Sequence, residues 1–258
     1  MEQNKVSIII PVYNRFIELQ NALASVFNDE TICFDIEVIV VNDGSTDGDY
    51  NLLASDKVFV FNQTNQGVGA ARNKGISLSK GEYLFFLDAD DEFVEGSLLE
   101  RYEILVQKRK KFVCGGVRLV KGKTDILQIA KWTSIPLFYQ ITFRNIVATS
   151  TVGVHRSIID NYNLFPEHIK RSEDWIAWHK LISINNSIYV RKAMTVKFED
   201  GLGITHLQES IDVEFKRLKN LLVSVLKYNI GIVLKFRIIL GIAIKFLALL
   251  IKIMKYTI

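Results

Sequence analysis

Residues 82–91 read Glu-Tyr-Leu-Phe-Phe-Leu-Asp-Ala-Asp-Asp, an apolar run of strand length that ends abruptly in the carboxylates of Asp88, Asp90 and Asp91. A short apolar run bounded by turn signals has the pattern of a fully buried strand, and in an open α/β sheet ligands bind where such strands end. Carboxylates this crowded repel one another unless a cation or another positive group lies among them, which suggests a hard metal with oxygen ligands. The same residues would also serve as a solvated turn capping a helix that begins near Gly96.

Four further clusters could do chemistry. Pro11, Tyr13 and Arg15 follow the first strand-like segment, where the Tyr13 ring could stack on a base or pack under a loop. Asn42-Asp43-Gly44-Ser45-Thr46-Asp47 follows the second. A carboxylate there could accept hydrogen bonds from a base imide or a ribose, or the segment could form an Asx-type turn without any ligand. Residues 65–75 carry Gly67, Gly69 and Arg72 at the start of a helix, a place for phosphates with Arg72 as countercharge. As a dinucleotide fingerprint this segment is weak, because Arg72 stands where a third glycine is needed and the segment does not follow the first strand. Finally, Glu173 and Asp174 lie at the start of an aromatic helix. The helix dipole alone explains both acids, and a general base is the functional alternative. Of four scattered histidines, only His206 follows a turn that could face the site.

The elements needed to position these residues alternate through the first half. Val6 to Ile10 is a strand expected to end at Pro11; a helix over about 16–27 and a buried strand at 36–41 follow. A short helix, a strand at 58–61, a helix at 68–79, the strand at 83–87, a helix at 97–107 and a strand at 112–119 continue the pattern. This is the rhythm of a doubly wound, mostly parallel sheet. The rhythm is lost from about Val120 to Leu207, which contains one clear helix at 174–184 and reads as the second half of the same globule. The expected division is therefore 1–119, 120–207 and a tail at 208–258.

With 258 residues, 49% of them hydrophobic, the chain can bury a large α/β core. Cys33 and Cys114 have no metal-ligand spacing and lie in apolar surroundings, so two buried free thiols are expected. Met-Glu-Gln-Asn-Lys lacks the regions of a signal peptide, which predicts a cytoplasmic protein. From Val213 to Ile258 nine Lys or Arg stand against the single acid Glu214, so the tail is strongly basic and the body mildly acidic within a net charge of +4. Placed on a continuous helix, all nine fall on one side, opposite an apolar arc. Lys235, Arg237 and Lys245 interrupt any run long enough to cross a bilayer. The tail fits a basic amphipathic helix lying on an anionic membrane, a peripheral attachment at the inner face of the cell membrane. The alternative is a helix pair, broken near residues 229–231, that packs on the body or on another subunit, so oligomers through the tail are possible. The apolar arc disfavours nucleic acid.

Pro-Val-Tyr-Asn-Arg at 11–15, Val-Asn-Asp-Gly-Ser-Thr-Asp at 41–47, the segment 65–76, Gly-Glu-Tyr-Leu-Phe-Phe-Leu-Asp-Ala-Asp-Asp at 81–91 and Ser-Glu-Asp-Trp at 172–175 share an order and an approximate spacing. In this the chain resembles the inverting family 2 glycosyltransferases of GT-A fold, of the bacterial polysaccharide and lipopolysaccharide type. The resemblance runs from about Val6 to His206, strongly in the first half. In the second half it is looser, and Phe165-Pro166-Glu167 and Glu173-Asp174-Trp175 hold the register. It implies that Tyr13 and Asp43 contact the nucleoside of a sugar nucleotide in a pocket shaped by Pro11. Asp88, with Ala89, would reach the ribose or the metal shell, and Asp90 would ligate a divalent Mn or Mg ion, with His206 a further candidate ligand. Asp174 would be the catalytic base, and Arg72 a brace for the carboxylates or the phosphates. Many relatives carry two aspartates in the second motif, where this chain has Asn42 and Asp43. The implied activity is transfer of a hexosyl or N-acetylhexosaminyl group from a UDP-sugar to a glycan or lipid-linked glycan in cell-surface synthesis. A nicotinamide-dependent oxidoreductase or a nucleotidyltransferase would need a glycine-rich loop after the first strand, where Pro11-Val12-Tyr13 stands. A membrane-associated sugar-nucleotide-binding protein without transfer activity is the remaining alternative.

Overall fold

The computed structural model describes residues 2–122, 124–129, 137, 140–141, 145–159, 163–167, 169, 172–182 and 186–198, and in the C-terminal region 218–219, 222, 226, 235–236 and 238–247. Strands β1 (Glu2–Val12), β2 (Ile36–Asn42), β3 (Val58–Asn62) and β4 (Gly81–Phe86) lie parallel in the order β3-β2-β1-β4. Beyond β4 the sheet becomes mixed. The short β8 (Gly153–His155) lies antiparallel between β4 and β6 (Phe112–Lys121), and β9 (Ser187–Phe198) runs parallel to β6. The far edge is β5 (Asp91–Phe93), antiparallel to β9, while β7 (Thr124–Gln128) forms a hairpin on β6. Segments distant in sequence thus complete one nine-stranded sheet.

Alternation along β1 sends side chains to both faces of this sheet. Ile8, Ile10 and Val12 pack with Leu19, Leu23 and Val26 of α1 (Phe16–Phe27) and with Leu98, Ile104 and Leu105 of α3 (Ser97–Gln107). Ile9 faces the other way, onto Ile76 of α2 (Val68–Leu78) and into the cluster around α4 (Glu173–Leu181). Gly75 permits this approach, since a Cβ there would lie 2.4 Å from Ile9 Cγ2. In α4, Trp175 and Trp178 are fully buried, and Trp178 meets Phe86 and Phe165 edge to face at 5.5 and 5.3 Å. Removing so large a buried ring costs about 3–5 kcal/mol, so α4 is anchored to the sheet by its tryptophans.

Three expectations need correction. The first strand does not end at Pro11: Pro11 pairs with Val41 and Val12 with Asn42. The Ile9 carbonyl faces β4, and Pro11 shares its parity, but the β1–β4 ladder stops at Ile9 and Phe86, so the missing N–H of Pro11 falls beyond it. Cys33 is exposed rather than buried, because its neighbours Ile32 and Phe34 are the residues turned towards the core. Asp91 does not cap the following helix: it opens β5, and the residue before α3 is Gly96 in the left-handed region at φ 73°.

Of the tail, Leu218, Ile238 and Ile242 are buried, the two isoleucines in the cluster that holds α4, and Lys245 Nζ lies 4.0 Å from the centre of the Trp175 ring. Lys245, a member of the basic arc, thus faces the body. Phe236, Leu240 and Leu247, from the opposite apolar arc, are exposed. Among the described residues no helix is long and apolar enough to cross a membrane. The remainder of the tail, including most of its basic residues, lies outside the described residues, as does His206.

Candidate functional site

The carboxylate turn leaves β4 at the end where β1 and β2 also finish, as strand parity and parallel pairing require. Its three acids have three different surroundings. Asp88 Oδ1 accepts from Arg72 Nη2 at 2.7 Å, and its Oδ2 lies 3.8 Å from Lys197 Nζ. Burial acts to raise its pKa, but these two cations hold it below the usual carboxylate value. Asp91 is almost fully buried, pairs with Lys197 at 2.7 Å and accepts from the Ser150 hydroxyl. Burial pushes it up to about 7 despite Lys197, with Asp88 and Asp90 adding to the rise. Asp90 is raised by burial and by the neighbouring Asp88 charge. No described side chain bonds to it.

Ser150 organises the turn from below. Its hydroxyl accepts from the Asp88 backbone at 3.0 Å while donating to Asp91, and its carbonyl accepts from Arg101 Nη1 at 3.1 Å. Arg101 is completely buried, with its guanidinium over the Phe93 ring at 4.4 Å, and burial lowers its pKa to about 9.

Arg72 joins the turn to α4. Its Nη1 donates to Glu173 Oε1, 101 residues away in sequence, at 2.8 Å while its Nη2 holds Asp88, so one guanidinium ties the end of β4 to the first turn of α4. Burial would lower its pKa, yet Asp88 and Glu173 outweigh burial and raise it. Asn73 completes the joint: its amide donates to the Phe165 carbonyl and to Glu167, and its oxygen accepts from Phe165 N–H. The 65–76 motif therefore braces two halves of the chain. Both terminal nitrogens of Arg72 are engaged by carboxylates, while its buried Nε has no hydrogen-bond partner among the described residues.

Asp174, next to Glu173, is partly exposed. Its Oδ1 accepts from Trp175 N–H at 2.7 Å and its Oδ2 from Asn145 Nδ2 at 3.1 Å. Burial raises its pKa; Arg72 and these two donors oppose that rise, and Asp88 adds to it. Glu173 is likewise raised, by burial first, against its bond to Arg72. Of the pair, Asp174 is the partly exposed acid that an incoming group can reach, whereas Glu173 is buried and paired with Arg72.

The first two motifs knit to each other. Asn14 N–H donates to Ser45 Oγ at 2.9 Å, Thr46 N–H to Asn14 Oδ1 at 2.8 Å, and Phe16 N–H to Asp47 at 2.9 Å. Asp43 is buried and accepts from Gln63 Nε2, Gln66 N–H and Gly67 N–H, each at 2.8 Å, fixing the loop that leads into α2. Gly67 adopts φ 94° there, a conformation that favours glycine. Asn42 forms the Asx-type turn, accepting from Ser45 N–H, and donates through Nδ2 to Asn62, which donates in turn to Asn51. An aspartate could not make that donation, which is a structural reason for asparagine in this chain. Tyr13 is 52% exposed beside these loops, Pro11 is buried beneath it, and Ala89 is buried within the carboxylate turn.

Arg72, Asp88, Asp90 and Asp174 are thus brought together, while Tyr13 and Asp43 stand at the neighbouring strand ends. Sequence reasoning missed Lys197, Ser150 and Asn145, and it undervalued Asp91 and Glu173. Alternation along β9 shows nothing that distinguishes Lys197; only its register opposite Asp91 does.

Several solved structures have this architecture. S. aureus TarS 1-349 superposes with a TM-score of 0.68 at 19% identity, covering 94% of this chain and 72% of that one. Its complex with UDP-GlcNAc gives 0.67 at 21% identity, covering 90% of this chain and 69% of that one. Mannosyltransferase PcManGT from Pyrobaculum calidifontis, in complex with GDP-Man and Mn2+, gives 0.60 at 17% identity, covering 95% and 70%. The fold is therefore GT-A. The family profile described as glycosyl transferase family 2 matches residues 7–162, and the chain belongs to that family. An uncharacterized glycosyltransferase of Rickettsia bellii is 32% identical over 70% of this chain. The poly(ribitol-phosphate) beta-glucosyltransferase of Bacillus spizizenii is 30% identical over 67%. The chain spans only 27% and 28% of the lengths of those two proteins.

Proposed function

We propose that the chain transfers a sugar, with inversion, from a nucleoside-diphosphate sugar to an acceptor hydroxyl. The observation that carries this reading is the Asp88–Arg72–Glu173 bridge, which brings the acid pair of α4 to the carboxylates at the end of β4. A UDP-sugar is the first donor to test, because TarS, of the same fold, has been solved with UDP-GlcNAc. We place this transfer in cell-surface glycan synthesis, a reading supported by the Bacillus relative, whose name states glucosyl transfer to poly(ribitol phosphate).

In this reading Asp174 accepts the proton of the acceptor hydroxyl as that oxygen attacks the anomeric carbon. Burial, by raising its pKa, makes Asp174 a better proton acceptor, and a positioned base supplies about 10²–10⁴-fold in rate. Asn145 and the Trp175 N–H fix its orientation. Tyr13 offers an exposed ring to the base, and Asp43 shapes the nucleoside pocket through the loop it holds.

The donor set at the turn fits a hard divalent ion. Asp90 is a raised carboxylate to which no described side chain bonds, and it would hold Mn or Mg, while Asp88 beside it, engaged by Arg72 and Lys197, would reach the ribose or the outer shell of the ion. When bound, the ion supplies positive charge against the departing diphosphate. No group of three His, Cys, Asp or Glu among the described residues is arranged to hold a metal alone, so diphosphate oxygens and water would complete its shell.

Phe236, Leu240 and Leu247, exposed on the side of the tail helix away from the body, support attachment to a membrane surface, where a lipid-linked acceptor would reside. Calorimetric titration with a panel of UDP-, GDP- and dTDP-sugars in Mn2+ tests the donor reading. Saturable binding of at least one sugar nucleotide is expected, and no binding of any would overturn it. Subsequent release of nucleoside diphosphate separates a transferase from a binding protein that lacks transfer.

A further inference from the structure

Lys197 belongs to none of the sequence motifs, yet with Arg72 it is one of two cations placed against the carboxylate turn. Its backbone stands opposite Asp91 in the β5–β9 ladder and opposite Leu119 in the β6–β9 ladder, so two sets of strand pairs fix it. Its ammonium lies 2.7 Å from Asp91 Oδ2 and 3.8 Å from Asp88 Oδ2, while Arg72 takes Asp88 Oδ1 at 2.7 Å. Ser150 donates to the same oxygen of Asp91 that Lys197 holds. Two of the three acids are therefore already committed to cations of the protein itself. Asp90 is the acid of the turn to which no described side chain bonds.

We propose that Lys197 sets the order in which the donor site assembles. With Arg72 it keeps Asp88 and Asp91 engaged, so that a divalent cation is held firmly only when a nucleoside diphosphate contributes oxygens alongside Asp90. The inference rests on the nucleotide-sugar reading above. Its physical basis is twofold. A hard cation needs six or more oxygen ligands, and a turn with one uncommitted carboxylate offers too few without phosphate. A fixed ammonium also repels the incoming cation. Between a unit and a double positive charge about 6 Å apart, repulsion in a medium as polar as water already amounts to about tenfold in an equilibrium constant. An arriving diphosphate reverses this, because its negative charge is attracted by Lys197 and by the cation together. Lys197 is thus a positioning residue that makes metal and nucleotide bind as a pair.

The test measures Mn2+ binding by electron paramagnetic resonance, with and without UDP, in the full chain and with no turnover involved. The wild type should bind Mn2+ alone weakly, with saturating UDP tightening it by about tenfold or more. Lys197→Met should bind Mn2+ alone about tenfold more tightly than the wild type and show a smaller gain from UDP. Lys197→Arg should restore wild-type behaviour, which a merely structural role for the strand would not require. Lys197→Gln keeps a donor for Asp91 while removing the charge, and is read in the same way if the methionine variant folds poorly. A folded Met or Gln variant whose affinity for Mn2+ alone matches the wild type would overturn the proposal. If Mn2+ affinity responds to Lys197 but UDP never tightens it, the donor reading fails instead.

Discussion

Arg72→Met removes the guanidinium that joins the two halves of the site while keeping an apolar stem of similar length. Glu173, only 7% exposed, would be left charged and without its partner, and breaking a buried pair from one side costs about 3–5 kcal/mol. Asp88 loses a 2.7 Å bond but keeps Lys197 and some contact with water, so its share is about 1 kcal/mol at most. The Arg72 guanidinium also lies 5.3 Å from the centre of the Phe165 ring, worth about 0.5–1 kcal/mol. The expected loss is about 4–6 kcal/mol, a large part of the ~5–15 kcal/mol that holds a domain folded. At about 2–4 °C per kcal/mol, the melting temperature should fall by roughly 10–20 °C. Urea unfolding at pH 7.5, followed by tryptophan fluorescence, reads the change directly, since Trp175 and Trp178 are buried in α4. Two controls make the test specific. Arg72→Met with Glu173→Gln removes the stranded charge and should recover at least half of the loss. Lowering the pH to 5.5 should also narrow the deficit, because burial already raises Glu173 and losing Arg72 raises it further. A single variant within about 1.5 kcal/mol of the wild type, or a double variant no better than the single, would refute the bracing role.

Other outcomes follow from the same geometry. Asp90, Asp91, Glu173 and Asp174 all have raised values, chiefly through burial, so each holds a proton at a pH where the unfolded chain has released it. Stability should therefore rise as pH falls from about 7 to about 5, and the gain should reverse below about 4, where Asp88, held low by Arg72 and Lys197 against burial, becomes protonated. Urea midpoints across that range check this, and a flat profile would count against it. Asn42→Asp places two acceptors face to face at Asn62 and should cost about 1–3 kcal/mol in the same assay while leaving UDP affinity unchanged; full stability in that variant would contradict the amide ladder. Phe236→Ser with Leu247→Ser should abolish flotation with anionic vesicles while the melting temperature stays constant, because both residues are exposed. Undiminished flotation would remove this face from membrane attachment.

The alternating strands and helices of the first half were legible because each strand is a short apolar run stopped by turn residues, as Ile36 to Asn42 shows. The motifs at the ends of β1, β2 and β4 were legible for the same reason. Pro11 misled because a missing donor ends a strand only where a neighbour would have used it, and β4 has already stopped there. Lys197 and Asn145 could not be read, since each gains its meaning from a partner that the fold supplies: Asp91 across a ladder, Asp174 across a loop. Asp91 looked like a helix cap because its burial depends on β9, which follows about 100 residues later. Residues whose role is local were visible in the sequence, whereas those defined by register emerged only with the sheet.

The central claim is that the acids of α4 and the carboxylates at the end of β4 form one transferase site with Asp174 as its base. Its most direct test uses the sugar nucleotide that binds best and compares nucleoside diphosphate release by the wild type and Asp174→Asn, alongside donor affinity. Turnover should fall by about 10²–10⁴-fold, with affinity within about threefold of the wild type. Near-normal turnover in Asp174→Asn would contradict the account.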